Sequence, residues 1–346
     1  MALVSPTLET SKRKRFLKTA IVILNWNSQQ WLKKFLPSVI ENSPDYDIYV
    51  IDNASTQNDV KFIQTNFPEI KLIVNDENLG YAGGYNEGLK KIKADIFCLL
   101  NSDVEVTPNW ITPIEKLFEE NENLAAVQPK ILDFYQQDFF EYAGAGGGLV
   151  DNFGYPFCRG RVFWTLEKDH GQYDDTQAVF WASGACMFVR AKDFFEFGGF
   201  DGDFFAHMEE IDLCWRFHNA GKAVFYCGES TVYHVGGGTL NKNSPQKTFL
   251  NFRNSLCMLV KNLPKRMLLP VLLSRLILDG ITALVFWRYE GFSHLSAIFR
   301  AHLSFYSLLF KMIKKRKINV HTYGSKCFVP FQYFILKRKK YHQLRD

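Results

Sequence analysis

The chain has no Cys-x-x-Cys pair. Its seven cysteines (Cys98, Cys158, Cys186, Cys214, Cys227, Cys257 and Cys327) are scattered and odd in number. That argues against a disulfide framework or a zinc cluster and fits a reducing compartment. No run of 18 uninterrupted apolar residues is present, so no conventional membrane-spanning helix is evident. The Walker pattern Gly-x-x-x-x-Gly-Lys-Ser/Thr is missing, and so is a dinucleotide fingerprint after the first strand-like segment, which counts against a P-loop NTPase and a dehydrogenase. There is no internal repeat. Acidic residues are scarce at one end only. Residues 1–260 hold 24 basic and 33 acidic side chains, a balance of −9, whereas residues 261–346 hold 17 and 3, a balance of +14. An acidic body thus carries a basic tail, and such asymmetry points to an anionic surface or partner for the tail.

What is present is 47% hydrophobic and 16% aromatic over 346 residues, which excludes a disordered chain and supplies a sizeable core. The basic cluster Lys12–Arg15 precedes an apolar run too short for a signal peptide. From Ala20 the pattern alternates. Ala20–Leu24, Ile48–Ile51, Lys71–Val74 and Ile96–Leu100 read as short buried strands, and Gln29–Ile40, Asn58–Asn66 and the segment from Gly80 to Lys93 as helices. Ser28 is placed to cap the first helix, and Pro108 stands where another would begin. Residues 134–180 read as an irregular insertion over the site, Trp181–Arg190 as a strand, Asp193–Phe197 as a short helix and Glu209–Asn219 as a helix closed by Gly221. Ala223–Tyr226 reads as a last strand leading to His234 and Gly236–Gly238. This rhythm predicts an α/β fold with a mostly parallel sheet covered by helices.

Ligands of such sheets bind outside the carboxyl ends of the strands. Asn25 and Asn27, Asp52 and Asn53, and Asn101 and Asp103 fall at those ends. Singly, each is ordinary turn chemistry; three pairs closing strands of one sheet indicate a site. Asp103 is placed to take a hard divalent cation, and the glycine-rich stretch Asn78–Gly88 allows close backbone approach to an anionic ligand at a helix start. Glu209, Glu210 and Asp212 cluster at a helix N-terminus, where acidic residues are favoured in any case, but where neighbouring carboxylates also tune one another for use as a base. His234 gains a role only where the fold brings it to Asp103.

Together AIVILNWN (20–27), YVIDNAS (49–55), the glycine-rich stretch to Leu89, FCLLNSDVEV (97–106), WASGACMFVR (181–190), GGFDGDFFAHMEEIDLCWR (198–216) and YHVGGGT (233–239) resemble the family 2 glycosyltransferases. Their fold is the GT-A nucleotide-sugar fold. Within the family the chain looks most like the bacterial rhamnosyltransferase-like branch. The resemblance implies a GT-A domain over 20–255, between a basic extension (1–19) and a helical, basic C-terminal region (256–346). It implies that Asn25, Asn27, Asp52 and Asn53 surround base and ribose, that Gly80, Tyr81, Gly83, Asn86 and Asn101 line the nucleotide-sugar pocket, and that Asp103 and His234 hold Mg²⁺ or Mn²⁺. Asn101 stands where the family's acidic motif carries its first carboxylate. Glu210, at a position where the family places Asp, is implied as the base, with Glu209 and Asp212 in support. The implied reaction is a metal-dependent, inverting displacement that moves a sugar from dTDP-rhamnose or a UDP-sugar to a glycan or lipid-linked acceptor in surface polysaccharide synthesis.

Beyond Asn254 the character changes. Leu268–Phe286 is strongly apolar but contains Pro270, Arg275 and Asp279, and a stripe from Leu295 to Ile313 is amphipathic, with basic clusters following. This suits peripheral attachment to the cytoplasmic face of an inner membrane; packing on the catalytic domain or on a second copy, as in a homodimer, is the other reading. Nucleic-acid binding fits the apolar tail less well. Arg159 and Arg161 either face a diphosphate or acidic acceptor or are solvated surface arginines. A sugar-phosphate nucleotidyltransferase would need a Lys/Arg-containing glycine-rich signature at the first strand, which Asn25-Trp26-Asn27 does not supply. A catalytically inactive, membrane-bound assembly partner would not need Asp103, Glu209, Glu210 and His234.

Overall fold

A computed structural model describes residues 17–236, 244–317, 323–325 and 327–344. The basic cluster Lys12–Arg15 and Gly237–Gly238 lie outside the described residues.

The first half alternates as its hydrophobic pattern dictates. It comprises β1 (Thr19–Asn25), α1 (Gln29–Glu41), β2 (Asp47–Asp52), α2 (Asp59–Asn66), β3 (Lys71–Val74), α3 (Gly80–Leu89), β4 (Ile96–Asn101), β5 (Val104–Val106) and α4 (Thr112–Glu120). In α1, Leu32, Phe35, Leu36 and Val39 form the buried face at helical spacing. β1 and β4 are buried almost throughout, as central strands covered on both faces must be. Pro108 does not open a helix. A turn follows β5, and α4 starts at Thr112 with Pro113 in its first turn.

Then come β6 (Leu124–Asp133), a small antiparallel sheet of β7 (Gly148–Val150), β8 (Pro156–Cys158), β9 (Arg161–Val162) and β10 (Thr165–Leu166), and β11 (Thr176–Ala178). The insertion at 134–180 is therefore partly regular, not structureless. β12 (Cys186–Arg190), α5 (Ala191–Glu196), α6 (Glu209–Asn219) and β13 (Ala223–His234) complete the body. The nine-stranded sheet has the order β11-β13-β6-β12-β4-β1-β2-β3, with β5 on β13. β3, β2, β1, β4, β6 and β13 share one direction, and β12, β11 and β5 oppose it. The sheet is mostly parallel.

The long strand β6 escapes sequence reading because Pro129 interrupts it. Proline cannot donate to a ladder. The sheet accommodates it at a register break, where Cys227 pairs with Pro129 and Thr231 with the adjacent Lys130, so that 228–230 bulge out. β13 also runs on to His234, which closes a strand and does not follow one.

Three long helices follow among the described residues: α7 (Pro245–Asn262), which runs across position 255, α8 (Lys265–Glu290) and α9 (Phe292–Lys314). The last described segment returns to the small sheet, where Cys327, Val329 and Tyr333 pack on Phe157 and Val162. All seven cysteines are free and buried.

Candidate active site

The strand ends interlock into a buried polar floor. Asn25 Nδ2 donates to Asp52 Oδ1 (2.8 Å) and Asp59 Oδ2 (2.9 Å), and its Oδ1 accepts from the Ser28 hydroxyl (2.5 Å). Ser28 thus faces Asn25 and does not cap α1 with its side chain. Asp52 also accepts from the Ser55 backbone and hydroxyl (3.0 and 2.6 Å). Asn53 donates to Asn78 Oδ1 and the Gly80 carbonyl, each at 3.0 Å. Asn27, in the left-handed region at φ 50°, accepts from the Thr56 backbone at 2.8 Å. Asn25, Asp52 and Asn53 are at most 1% exposed, so they shape the strand-end loops from beneath. Trp26 at their rim is 37% exposed.

The glycine-rich stretch is tightly packed. A side chain at Gly80 (φ 69°) would lie 2.5 Å from the Phe205 carbonyl, which accepts from the Ala82 backbone (3.1 Å). The start of α3 therefore meets protein here and does not stand open to an anion. Gly83 is closed by Leu79. Asn86 exchanges hydrogen bonds with the Phe200 backbone (2.8 and 3.0 Å), and the Tyr81 hydroxyl donates to the Gly184 carbonyl (2.8 Å). These contacts tie α3 to the loop leading into α6 and to the turn before β12.

The antiparallel pairing of β5 with β13 sets Val104 opposite His234, which brings His234 to Asp103. His234 Nε2 lies 3.2 Å from Asp103 Oδ1 and 3.5 Å from Asn101 Nδ2. Its Nδ1 lies 3.2 Å from Glu141 Oε2. Burial alone would depress the imidazole pKa, but the Asp103 and Glu141 carboxylates overcome it and push it up to about 10. An oxygen and a nitrogen able to ligate a metal thus converge, with a carboxylate in ion-pair range on the far side of the ring. Among the described residues no group of three or more His, Cys, Asp or Glu side chains stands in metal-holding geometry. Asp103 and His234 are the residues here that would hold a divalent cation.

α6 opens with the two glutamates. Glu209 is buried and Glu210 keeps partial exposure. Neither Oε2 has a hydrogen-bond partner. Burial, then the neighbouring Glu210 charge, hold Glu209 well above the usual carboxylate range, and burial pushes Glu210 up to about 7. Asp212 faces elsewhere. It accepts from Lys261 Nζ (2.8 Å), Arg216 Nε (2.9 Å) and Asn262 Nδ2 (2.8 Å), joining α6 to α7.

The loop before Glu209 is strained, with Phe205, His207 and Met208 at φ 64°, 69° and 72°. α7 holds it. Asn254 Nδ2 approaches the carbonyls of Phe204, Ala206 and His207 (2.9, 2.8 and 2.8 Å), and Arg253 Nη2 donates to those of Asp203 and Phe204 (3.0 Å each). Lys261 and Lys315 grip Asp201 at 2.6 Å each, and Lys311 grips Asp203 at 2.6 Å.

Arg159 and Arg161 are buried and are not solvated surface groups. Arg159 is bidentate to Asp175 (2.9 and 2.6 Å). Arg161 Nη2 donates to Cys158 Sγ (3.2 Å), the guanidinium covers the Tyr142 ring, and Nε is unpartnered. The Glu141 carboxylate acts electrostatically on both Arg161 and Cys158. Glu141, Arg253 and Asn254 were not expected from sequence; no motif marks them, and only the fold brings them here.

Residues 20–194 match the family described as glycosyl transferase family 2. N-acetylglucosaminyl-diphospho-decaprenol L-rhamnosyltransferase of Mycobacterium tuberculosis is 25% identical over 233 residues, 62% of this chain and 75% of that protein. Rhamnosyltransferase WbbL of Escherichia coli K12 is 24% identical over 215 residues, 60% of this chain and 79% of that one. In fold, the chain is similar to GalNAc-T7 solved with UDP, GalNAc and Mn²⁺, at a TM-score of 0.54 and 18% identity, over 71% of this chain and 48% of that one. The mostly parallel sheet is that of the GT-A fold, the chain is a glycosyltransferase, and it belongs to glycosyl transferase family 2.

Proposed function

We propose that the protein transfers a rhamnosyl unit from dTDP-rhamnose, or a related sugar from a UDP-sugar, to a hydroxyl of a lipid-linked glycan in surface polysaccharide synthesis, with inversion at the anomeric carbon. The observation that carries this reading is Glu210 at the start of α6, partly exposed, with an unpaired Oε2 and a carboxyl that burial pushes up to about 7, in a fold whose strand ends also set Asp103 3.2 Å from His234. The rhamnosyltransferase names of the two relatives support the sugar, and the diphospho-decaprenol in one of them supports a lipid-linked acceptor.

Asp103 and His234 would hold the divalent cation, and an imidazole ligand favours Mn²⁺ over the more oxygen-demanding Mg²⁺. A cation held there would supply charge neutralisation to the leaving diphosphate. The buried Arg161 guanidinium, on which the Glu141 carboxylate acts, adds positive charge. Glu210 accepts the proton of the acceptor hydroxyl as that oxygen attacks, with the more deeply buried Glu209 beside it. Asn25, Asp52 and Asn53 act from beneath, fixing the loops that meet the nucleotide.

Incubating the protein with a panel of dTDP-, UDP- and GDP-sugars, Mn²⁺ and lipid-diphosphate-linked acceptors tests the reading. Sugar transfer is expected from one donor, is lost with EDTA and returns with Mn²⁺. Full turnover after thorough chelation would contradict the metal role.

A further inference from the structure

Helix α8 is long and apolar enough to cross a membrane by length and composition: its most apolar 18-residue window has a mean hydropathy of 1.9, and 17% of that window is buried. Its two faces differ, however. Leu269, Leu273, Ile277, Ile281 and Leu284 follow one another at intervals of three or four residues and are 66, 53, 67, 55 and 59% exposed. Arg275 and Asp279 lie two residues from Ile277, more than half a turn round the helix, and are 3% and 1% exposed. Arg275 Nη1 donates to the Phe153 carbonyl (3.1 Å) and Nη2 to the Ser255 hydroxyl (2.8 Å). Asp279 pairs with Arg275 at 3.7 Å and with His302 of α9 at 3.3 Å. One face is therefore bound to the folded body by polar contacts, and the other is a bare apolar stripe.

Helix α9, joined to α8 through Gly291, repeats the arrangement. Phe299, Leu303, Tyr306, Phe310 and Ile313 are 44–76% exposed at intervals of three and four. A shallow cleft lined by Leu276, Gly280, Ala283, Leu295, Ile298 and Phe299 connects the two helices. Contiguous apolar surface of this extent is rare on a free monomer. Its borders are basic. Exposed Arg266 and Arg288 stand at the two ends of the α8 stripe, and exposed Arg300 and Lys314 along one edge of the α9 stripe. Beyond residue 260 the acidic residues are Asp279, which faces inward, Glu290 and the terminal Asp346.

We infer that α8 and α9 lie in the plane of an anionic bilayer, with their apolar stripes at acyl depth and their arginines and lysines at the headgroups. The basic borders select this occupant: they match anionic headgroups, whereas two copies pressed together would set like charges side by side. A spanning α8 would expose the Arg275–Asp279 pair to hydrocarbon and tear it from Phe153 and Ser255. The in-plane seating leaves those contacts intact and holds the catalytic body beside lipid-borne acceptors.

Flotation of the full chain with vesicles tests this. The protein is expected to bind vesicles of phosphatidylethanolamine and phosphatidylglycerol, and phosphatidylcholine vesicles much less. Because all seven cysteines are buried, Ile277→Cys takes an environment-sensitive thiol dye selectively. That dye should shift to the blue on anionic vesicles only. Ile277→Glu combined with Phe310→Glu should lower the bound fraction about tenfold, with nucleotide-sugar binding in solution retained. Failure of flotation with donor binding intact overturns the docking face and leaves the transferase reading standing. A dye already shifted in a lipid-free dimer assigns the face to a second copy instead. Quenching of the dye from inside sealed vesicles assigns it to a spanning helix.

Discussion

At the scale of single residues, the site depends on carboxylates whose surroundings differ. Asp103 and Glu141 flank one imidazole, Glu210 has an unpaired oxygen, and Asp212 is saturated by Lys261, Arg216 and Asn262. Each arrangement gives a different expected outcome on substitution. Glu141→Gln keeps the shape but weakens the orienting contact to His234. Mn²⁺ affinity, read by titration, should fall about 10–100-fold while nucleotide affinity without metal is unchanged. Asp212→Asn strips a carboxylate from buried Lys261, which keeps Asp201. It should cost about 3 kcal/mol in stability, seen as a lowered melting temperature, with little change in the pH profile of surviving enzyme. Glu210 must be deprotonated to act. With its pKa pushed up to about 7, kcat/KM should fall as pH drops through that value and level off above it. A profile flat from pH 6 to 8 would contradict that environment. Asp103, His234 and the glutamates were legible because they sit in motifs at strand and helix ends. Glu141 was not: it lies in a segment with no periodicity, and it reaches His234 through its backbone hydrogen bond to Ile131 of β6, the strand paired with β13.

Among the elements, those with clean hydrophobic periodicity emerged at nearly the expected boundaries; Lys71–Val74 and Glu209–Asn219 coincide with them. β6 did not, because Pro129 reads as a strand breaker and only the bulge in the neighbouring β13 accommodates it. The loop from Asp201 to Met208 was equally hidden. Its shape is set by α7, through Arg253 and Asn254, and not by local propensity. Asn254→Ala removes the amide that spans three carbonyls and leaves them poorly satisfied, at a cost of about 1–3 kcal/mol. Because the loop delivers Glu209 and Glu210, kcat should fall by more than KM for the donor rises. Equal loss of kcat in a variant that weakens α7 elsewhere, such as Leu250→Ala, would reduce Asn254 to a fold-stabilising role.

At the scale of the molecule, the basic tail is not a free appendage. Lys261, Lys311 and Lys315 meet Asp201 and Asp203, so part of the opposed charge of body and tail closes within the protein. Burial raises the Asp201 pKa, but Lys261 and Lys315 outweigh it and hold the group well below the usual carboxylate range. The stability this contributes is present above the ordinary aspartate pKa and is lost as pH falls through the depressed one. The remaining basic groups border the apolar stripes of α8 and α9. Of these two helices, α9 also reaches inward, through Lys311, to the loop that carries the proposed base.

The most direct test is Glu210→Gln, which keeps the side-chain volume and removes the proton acceptor. Sugar transfer from the nucleotide sugar that the wild-type protein turns over should fall about 10²–10⁴-fold, while calorimetric binding of that donor with Mn²⁺ is unchanged. Wild-type turnover in Glu210→Gln would contradict the account.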